Sequence, residues 1–411
     1  MKLIAILLLF AAAGPVRRGN VFEMLLDDGR AELEWVSAVS FRLTRLERFD
    51  RSRVPASTDL VKVACSHEPT LVRCRTEHIE IEIDRRGRGL RVRRVNGQPV
   101  LESHGTSAAV QPGERFYGLG VRSTANLDLS GSHVEADGGL LISSAGYGEY
   151  RPGHCAYDLT EPRRTASCGN ELYFYYGPTP KEILEEHAAI GGTEGKTAWV
   201  VAPGAGSRSW KDLRESLYAL QHAALSGVPL PPLDINGYEG EAAARASQIA
   251  ALVPVVHAAT PHIPQFRERL LPYLETYAWE ARDRGIPTIR PLAIQFPEDA
   301  TAVARTDEFM SGDEMLVAPL LEPGGKRSVY LPRGIWTDLR TGAVHKGRQE
   351  ITIEAPPDWT PVFVRNGMLL PLSGKPLELH YFPRLGAEFF LWEPDLDYIS
   401  QFHASPTVDL L

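Results

Sequence analysis

Three carboxylates lie close together in the middle of the chain, where residues 233–241 read LDINGYEGE. General acid–base catalysis needs carboxyl groups in pairs, and Glu239 and Glu241 form one candidate pair. Asp234 heads an Asp-Ile-Asn-Gly run, which favours a tight turn that the aspartate caps with its own side chain. The segment therefore predicts either a centre for proton transfer or acidic side chains solvated in a loop.

The spacing of histidines and cysteines does not predict a metal site. The 12 histidines include no i,i+4 pair, and neither Cys-x-x-Cys nor a mixed Cys/His spacing typical of a metal site occurs. We therefore expect no metal and no other cofactor. His187 and His222 fall within predicted helices, and we place both on exposed helix faces.

Four cysteines suggest disulfides instead. Cys65 and Cys74 lie within one predicted hairpin, and Cys155 and Cys168 lie within another hairpin or loop. These neighbours are the natural pairs, although four cysteines allow three connectivities and free buried thiols are the alternative. Disulfides of this kind persist in oxidising compartments outside the cytosol.

The first residues, MKLIAILLLFAAAG, have the order of a secretory signal. Lys2 precedes an apolar run from Leu3 to Phe10, and small residues follow up to Gly14. This order predicts a signal peptide over residues 1–14 and a secreted or periplasmic protein. The apolar run is shorter than the roughly 20 residues of a membrane-spanning helix, and the alternative is an apolar N-terminal strand.

Composition excludes one class of partner. The chain has 411 residues, enough for two or three domains, with 43% hydrophobic and 23% charged residues, as in ordinary folded proteins. Acidic residues outnumber basic ones by 52 to 44, which gives a net charge of −8. Nucleic-acid binding needs a basic face, so we expect no such partner. No later stretch predicts a membrane span.

Hydrophobic periodicity divides the chain into four parts. Short alternating runs over residues 20–178 predict an N-terminal β-sandwich. Residues 179–300 alternate helices with strands, as in an α/β layer. Residues 301–385 return to short strands and predict a C-terminal β-domain, whereas residues 386–411 form a tail without an assignable pattern.

The middle part carries the clearest helix signals. Thr179 and Glu182 form a capping box with Pro180 between them, and a Gly-Gly pair ends that helix. Apolar spacings of three and four residues predict further helices. The other predicted elements are helices over residues 209–227 and 263–285 and strands over residues 227–238 and 287–296.

Six segments in chain order resemble the α-glucosidase and α-xylosidase type of glycoside hydrolase family 31. One such segment would be weak evidence, but six in register span more than half of the chain. They are ERFYGLG at 114–120, LYFYYGPTPKEILEEHAAIGG at 172–192, LSGVPLPPLDINGY at 225–238, the helix and strand over 267–299, DEFMSGDEMLVAPLL at 307–321 and TPVFVRNGMLLPL at 360–372.

The resemblance implies a domain plan and a chemistry. Family members combine a β-sandwich similar to galactose mutarotase, a (β/α)8 barrel and C-terminal β-domains, and they cleave α-glucosides or α-xylosides with retention. Retention uses two carboxyl groups about 5–5.5 Å apart, one as nucleophile and one as acid and base. We therefore expect a multidomain α+β fold whose C-terminal domain is also a β-sandwich.

Most of the barrel is missing from this chain. Between Gly192 and Thr197 the family would insert the strand that carries its DMNE-like nucleophile motif, and no such motif occurs anywhere in the sequence. A complete barrel takes about 250 residues, whereas residues 196–300 are 105 residues. The resemblance therefore implies an incomplete (β/α)8-barrel remnant without a nucleophile.

The acid/base motif is also altered. The family has a W-x-G-D-x-x-S-x-W pattern, and this chain has APGAGSRSW, which ends at Trp210. Ala205 stands in the position of the acid/base aspartate, Ala202 in that of the first tryptophan and Arg208 in that of the serine. Only Gly204 and Trp210 match. Because alanine cannot transfer a proton, the sequence predicts no catalytic residue here.

Three residues remain as candidates for binding a sugar. Asp234 matches an aspartate that contacts substrate in the family, and Trp210 keeps its place in the acid/base motif. His257 occupies the arginine position of an R-x-H sugar clamp, while Ala259 replaces its histidine. The resemblance thus implies α-linked glucosides or xylosides as ligands.

Three hypotheses follow for function. The first is a family 31-like protein of carbohydrate metabolism without hydrolytic activity, either a pseudoenzyme or a carbohydrate-binding remnant. The second is an active α-glycosidase that uses non-standard carboxylates, and the third is a structural or interaction module. Loss of barrel strands would leave sheet edges unpaired, so we also expect self-association.

Overall fold

The computed structural model describes eight stretches of the chain. They are residues 16–27, 29–46, 59–86, 89–190, 207–259, 264–384, 386–395 and 397–404. Contacts group the chain into two compact units, one of residues 1–120 and 128–192 and the other of residues 121–127 and 193–411. Strands dominate the first unit and alternate with helices in the second, so the fold is β-rich and multidomain, as the sequence predicts.

The first unit is built mainly from strands. Its described elements are β1 (Val16–Arg18), β2 (Val21–Leu26), β3 (Gly29–Trp35), β4 (Ser40–Leu46), β5 (Ala64–His67), β6 (Leu71–Arg75), β7 (Ile79–Asp84), β8 (Gly89–Arg94), β9 (Pro99–His104), β10 (Ser107–Ala109), β11 (Phe116–Gly118), β12 (His133–Ser143), β13 (Tyr147–Asp158), β14 (Arg163–Ser167), β15 (Glu171–Tyr176) and helix α1 (Pro180–Ala189). The strands follow from the alternation of apolar and polar side chains along the chain. In β7, for example, Ile79, Ile81 and Ile83 are buried and the acids between them are not.

These strands form one antiparallel sheet that folds back on itself. The order is β1-β2-β3-β4-β15-β13-β14-β10-β9-β8-β7-β6-β5, with β12 and β11 branching from β13. Phe22 and Leu33, near one end of this order, share a core with Ile81 and Val92, near the other end. Two layers therefore enclose one apolar core, which is an arrangement of the sandwich type.

Helix α1 starts at the predicted residue, but its His187, which the sequence predicts to be exposed, is buried. Glu182 Oε2 accepts a hydrogen bond from the Thr179 backbone N–H at 2.8 Å, and the Thr179 side chain accepts one from the Glu182 N–H, so the capping box is confirmed. His187 is fully buried, and its Nδ1 lies 3.0 Å from the Tyr175 hydroxyl. The exposed position predicted for His187 is wrong, because His187 lies one turn after buried Ile183 on the same face.

Two disulfides join the cysteines as sequence neighbours. Cys65 is bonded to Cys74 across the β5–β6 pair, and Cys155 in β13 is bonded to Cys168 just after β14. All four cysteines are thereby used. Both bridges lie in the first unit, where each one closes a short loop.

The second unit mixes helices of different lengths with small sheets. Its described elements are α2 (Trp210–Leu225), β16 (Leu233–Asp234), α3 (Gly240–Ala250), β17 (Val256–His257), α4 (Phe266–Arg284), β18 (Ile289–Pro291), α5 (Leu292–Gln295), α6 (Ala300–Ala304), β19 (Phe309–Ser311), β20 (Met315–Val317), β21 (Lys326–Leu331), β22 (Ile335–Asp338), β23 (Val344–Lys346), β24 (Gln349–Glu354), β25 (Val362–Arg365), β26 (Met368–Leu372), β27 (Glu378–Phe382), β28 (Ala387–Glu393) and β29 (Tyr398–Ala404). None of the helices described in either unit is both long enough and apolar enough to cross a membrane.

The two long helices of this unit begin and end where the sequence predicts. Ser209 and Asp212 form a capping box at the start of α2, and Gly285 ends α4 in the left-handed conformation at φ 69°. His222 in α2, however, is fully buried, and its Nε2 lies 3.2 Å from the Thr124 carbonyl oxygen. Its predicted exposure is therefore wrong. Burial also lowers the pKa of His222 to about 4.

The predicted strand over residues 287–296 is only partly correct. Strand β18 ends at Pro291, and the next four residues form the short helix α5. Proline has no N–H to donate to a ladder, which is one reason why the strand stops there. β18 joins the antiparallel sheet β18-β19-β20-β25-β22-β23 and does not extend the parallel pair β16–β17. Among the described residues β16–β17 is the only parallel pair of named strands, so the barrel remnant stays a prediction.

The tail without an assigned pattern contains a hairpin. β28 and β29 pair antiparallel from Ala387↔Ala404 to Glu393↔Tyr398. Phe389 and Leu391 of β28 enter the main core of the second unit, while Trp392 stacks on Trp279 of α4 at 5.0 Å between ring centroids. The hairpin is stabilised by this contact with α4, which the tail sequence alone does not reveal.

A buried carboxyl group makes the stability of the second unit depend on pH. Glu314 Oε2 accepts hydrogen bonds from the Tyr273 and Tyr277 hydroxyls at 2.8 and 2.6 Å, and burial raises the pKa of Glu314 to about 7 from 4.5. The folded state therefore binds this proton more tightly than the unfolded chain. The contribution of Glu314 to the free energy of unfolding is fully present below pH 4.5. It falls by on the order of 3 kcal/mol as the pH rises to 7 and above.

We expect Glu314→Gln to flatten this dependence, because glutamine accepts the same tyrosine hydrogen bonds without titrating. Unfolding temperatures measured between pH 4.5 and 7 test the prediction. Some slope remains in the variant, since burial also raises the pKa of Glu308 to about 7. Exposed Glu275→Gln is the control, and an unchanged slope in Glu314→Gln would contradict the assignment.

Candidate functional site

Two sequence-predicted residues meet at the ends of the only parallel strand pair named among the described elements. β16 and β17 pair with Leu233 opposite Val256 and Asp234 opposite His257. Loops at the carboxyl ends of parallel strands are the usual place for ligand-binding side chains in α/β proteins. Asp234 and His257 each end a strand here, so their backbones place them side by side.

Asp234 is held by three hydrogen bonds. Its Oδ1 accepts from the backbone N–H and the side-chain Nδ2 of Asn236 at 2.9 and 2.7 Å, and its Oδ2 accepts from Arg208 Nη2 at 3.1 Å. Partial burial acts to raise the pKa of Asp234, but the Asn236 hydrogen bonds and the Arg208 guanidinium outweigh burial and lower it. Asp234 is therefore an anion that accepts hydrogen bonds, and it is unsuited to be a proton donor.

Arg208 is built into the same site. Besides its contact with the Asp234 carboxylate, its Nη1 donates to the Asp234 carbonyl oxygen at 2.9 Å. The guanidinium lies 5.2 Å from the centre of the Tyr238 ring, and only 7% of the side chain is exposed. The Arg208 backbone N–H donates to the Gly237 carbonyl at 2.7 Å. These contacts fix a positive charge against Asp234.

Asn236 connects the two strand ends. Its side-chain oxygen accepts a hydrogen bond from the Ala259 N–H at 2.6 Å, while its Nδ2 donates to Asp234. In the sequence, the Asn-Gly pair after Asp234 predicts a turn, but it does not predict that the Asn236 side chain joins the two loops. The backbone of Ala259 and the side chain of Asn236 thus hold the loop after β17 against the loop after β16.

Trp210 and His257 differ in solvent exposure. Trp210 is the first residue of α2, directly after the N-cap Ser209, and it is half-buried against the main core of the second unit. His257 is exposed at the end of β17. Trp210 therefore contributes to packing, while His257 is open to solvent beside Asp234.

Of the candidate pair, Glu239 is exposed in the loop before α3 as predicted, whereas Glu241 lies inside the helix, so the loop prediction is wrong for Glu241. Glu239 is the N-cap of α3 and Glu241 lies in its first turn. Glu241 Oε1 accepts a hydrogen bond from the Gly324 N–H at 3.3 Å and lies 3.9 Å from Arg245 Nη2. Acidic residues are favourable at a helix N-terminus because they interact with the helix dipole, which accounts for both glutamates without catalysis.

The described residues thus form a small polar site centred on Asp234. It can accept a hydrogen bond from a hydroxyl group, and it offers His257 and backbone groups nearby. Ala205, Ala202 and Gly204, which the resemblance places in the altered acid/base motif, lie outside the described residues, so that part of the prediction stays a prediction. Among the described residues, the hydrogen bonds given above place no second carboxyl group against Asp234.

Sequence comparison points to one family. Residues 285–370 match the glycosyl hydrolase family 31 C-terminal domain. An isomaltosyltransferase of Sporosarcina globispora is 30% identical over 187 residues, which are 37% of this chain and 17% of that protein. α-Glucosidase 2 of Bacillus thermoamyloliquefaciens is 31% identical over 189 residues, which are 40% of this chain and 24% of that protein. The chain therefore spans less than a quarter of these relatives.

Solved structures show the same fold at low sequence identity. A dextranase of Flavobacterium johnsoniae in complex with glucose superposes with a TM-score of 0.79 at 15% identity, covering 95% of this chain and 87% of that one. A cycloalternan-forming enzyme of Listeria monocytogenes with a pentasaccharide substrate gives a TM-score of 0.77 at 14% identity, covering 96% and 69%. These structural likenesses show the fold, and the C-terminal domain match with the α-glucosidase relatives makes part of this chain similar in sequence to glycosyl hydrolase family 31.

Proposed function

We propose that this protein binds α-linked sugars without hydrolysing them and acts in carbohydrate metabolism as a non-catalytic family 31 homologue. Its relatives include an isomaltosyltransferase and an α-glucosidase, and structures of similar fold are complexes with glucose, isomaltotriose and xylose. The middle segment is, in this proposal, a barrel remnant whose β16–β17 pair retains one edge of the sugar pocket. Two disulfides support export to an oxidising compartment.

The observation that carries the proposal is the ion pair between Arg208 and Asp234. By sequence register, Arg208 replaces a serine of the acid/base motif and Ala205 replaces the acid/base itself. An arginine that neutralises the remaining aspartate favours a fixed anion over an acid that exchanges protons. The geometry therefore supports recognition of a ligand and not bond cleavage.

Asp234 keeps capacity for one ligand hydrogen bond. A carboxylate offers about four acceptor positions, and three are used, two by Asn236 and one by Arg208. The side chain is 25% exposed, so a hydroxyl can reach it. A hydrogen bond to a charged group contributes about 1.5–3 kcal/mol, which corresponds to roughly 10–100-fold in affinity.

Calorimetric titration with maltose, isomaltose and an α-xyloside tests this proposal. We expect at least one sugar to bind and Asp234→Ala to weaken its binding by about tenfold or more. Glu239→Ala is the matched control, since Glu239 is a neighbouring acid whose side chain makes no capping hydrogen bond. We expect this control to bind as the wild type does.

Two results would contradict the proposal. Absence of binding for all three sugars would exclude recognition and favour a structural or interaction module. Release of free sugar by the wild type, lost in Asp234→Ala, would support the alternative of an active α-glycosidase with non-standard carboxylates. Self-association stays a prediction, which light scattering of the purified protein tests.

A further inference from the structure

A cleft of about 430 Å³ opens in the second unit, and its lining does not include the residues around Asp234. Three separate segments form its walls, namely the turn between α5 and α6, the end of β21 with the turn after it, and the bend between β23 and β24. Its chemistry depends on six of its lining residues, Phe296, Glu298, Asp299, Tyr330, Arg333 and Arg348.

The floor of the cleft is aromatic and held in place by the protein. The Phe296 ring packs edge-on against Trp336 with 6.2 Å between centroids, and the Arg365 guanidinium lies 6.0 Å from the Phe296 ring centre. Tyr330 is buried, and its hydroxyl donates to the Asp299 carboxylate at 2.9 and 3.1 Å. Both rings are thus positioned before any ligand arrives.

The rim carries charged groups that no described residue pairs. Arg333, Arg348 and Glu298 are exposed, and among the described residues none of their side chains makes a hydrogen bond or ion pair. Other arginines of this unit, such as Arg245, Arg267 and Arg327, are each bound to backbone carbonyl or carboxylate oxygens. The rim therefore offers guanidinium donors and a carboxylate acceptor to a ligand.

Arg348 lies at an unusual backbone position. Its φ is 60°, a left-handed conformation that favours glycine, and its N–H donates to the Leu331 carbonyl at 2.7 Å. Gly347 beside it has no room for a side chain, because an added Cβ would lie 2.0 Å from the Pro332 carbonyl oxygen. Arg348 therefore occupies a backbone position where glycine would be less strained. Its side chain lines the cleft.

We propose that this cleft binds a short neutral oligosaccharide. Its volume falls within the range of about 300–1,000 Å³ typical of small-molecule sites. The apolar faces of sugar rings suit Phe296 and Tyr330, the arginines donate to hydroxyls, and Glu298 accepts from them. Two cationic and two anionic side chains line the cleft, so their charges balance and favour no charged ligand. The site is separate from Asp234 and does not depend on the function proposed above.

The test uses Arg348→Gly, which removes the guanidinium and suits the backbone. Binding of maltotetraose and isomaltotetraose is measured by calorimetry on the full chain. We expect Arg348→Gly to raise the dissociation constant for at least one of them by tenfold or more, with an unfolding temperature equal to or above that of the wild type. Lys346→Gln, which removes an exposed charge two residues away outside the cleft, should leave binding unchanged.

The two sites are distinguished by Asp234→Ala, which should retain the binding that Arg348→Gly loses. The cleft proposal is overturned if neither tetrasaccharide binds, if Arg348→Gly binds as the wild type does, or if Lys346→Gln loses as much affinity. Binding that is lost only in Asp234→Ala would support the Asp234 site and reject the cleft.

Discussion

Purified protein is expected to release nitrophenol from nitrophenyl α-glucoside no faster than buffer does. A positioned general acid or base contributes about 10²–10⁴-fold to rate, and the missing nucleophile removes the covalent route as well. We therefore expect a rate at least about 10⁴-fold below that of a complete family 31 α-glucosidase assayed beside it. Ala205 and the absent nucleophile motif are the sequence features that lead to this result.

A single restored carboxylate should not rescue the reaction. Ala205→Asp supplies a carboxyl group at the acid/base position of the sequence register, but no nucleophile accompanies it. Retaining cleavage needs both groups about 5–5.5 Å apart. The contrary result would be hydrolysis of the glucoside by the wild type. If that activity elutes with the protein in gel filtration and is absent from a mock preparation, other carboxylates carry out the reaction.

Replacement of Arg290 by methionine is expected to lower the free energy of unfolding of the second unit by about 3–5 kcal/mol. Arg290 is fully buried, and its two Nη atoms lie 2.6 Å from Glu280 Oε2 and 2.6 Å from Asp313 Oδ1. Burial alone would lower the pKa of Arg290, but Asp313 and Glu280 more than offset this and raise it. Its removal would leave both carboxylates without this partner, and Asp313 acts by its charge on buried Glu314.

Arg284→Met is the matched control for this variant. Arg284 also pairs with Glu280, at 3.0 Å, but its side chain is 45% exposed, so its loss should cost about 0–1 kcal/mol. Urea denaturation followed by tryptophan fluorescence measures both variants. Trp35 is the only tryptophan in the first unit, so the signal reports mainly on the second. Equal effects of the two substitutions would contradict the role given to Arg290.

Local signals in the sequence predicted the elements that have local causes. The predicted capping box at Thr179 and the predicted helix end at Gly285 each depend on groups within a few residues, and the structure has both. The strand alternation of the first unit is likewise a property of neighbouring residues. These patterns are readable because hydrogen bonds at helix ends and side-chain alternation follow directly from sequence spacing.

Errors arose where packing overrode the local pattern. His187 and His222 look polar in sequence, yet each lies on the face of its helix that packs against other elements. Residues Leu292–Gln295 have the composition of a strand but turn into a helix after Pro291. The hairpin of β28 and β29 is stabilised by α4, more than a hundred residues earlier in the chain.

The sequence by itself determined the resemblance to family 31 and the absence of a DMNE-like motif, because those are statements about residue identity, and it predicted that Ala205 occupies the acid/base position. It also placed Asp234 at the end of a strand. Only the tertiary structure decided that Arg208, 26 residues earlier, neutralises Asp234 and that Asn236 joins the two loops. Partners so far apart in sequence are chosen by how strands and helices pack, and no local spacing encodes that choice.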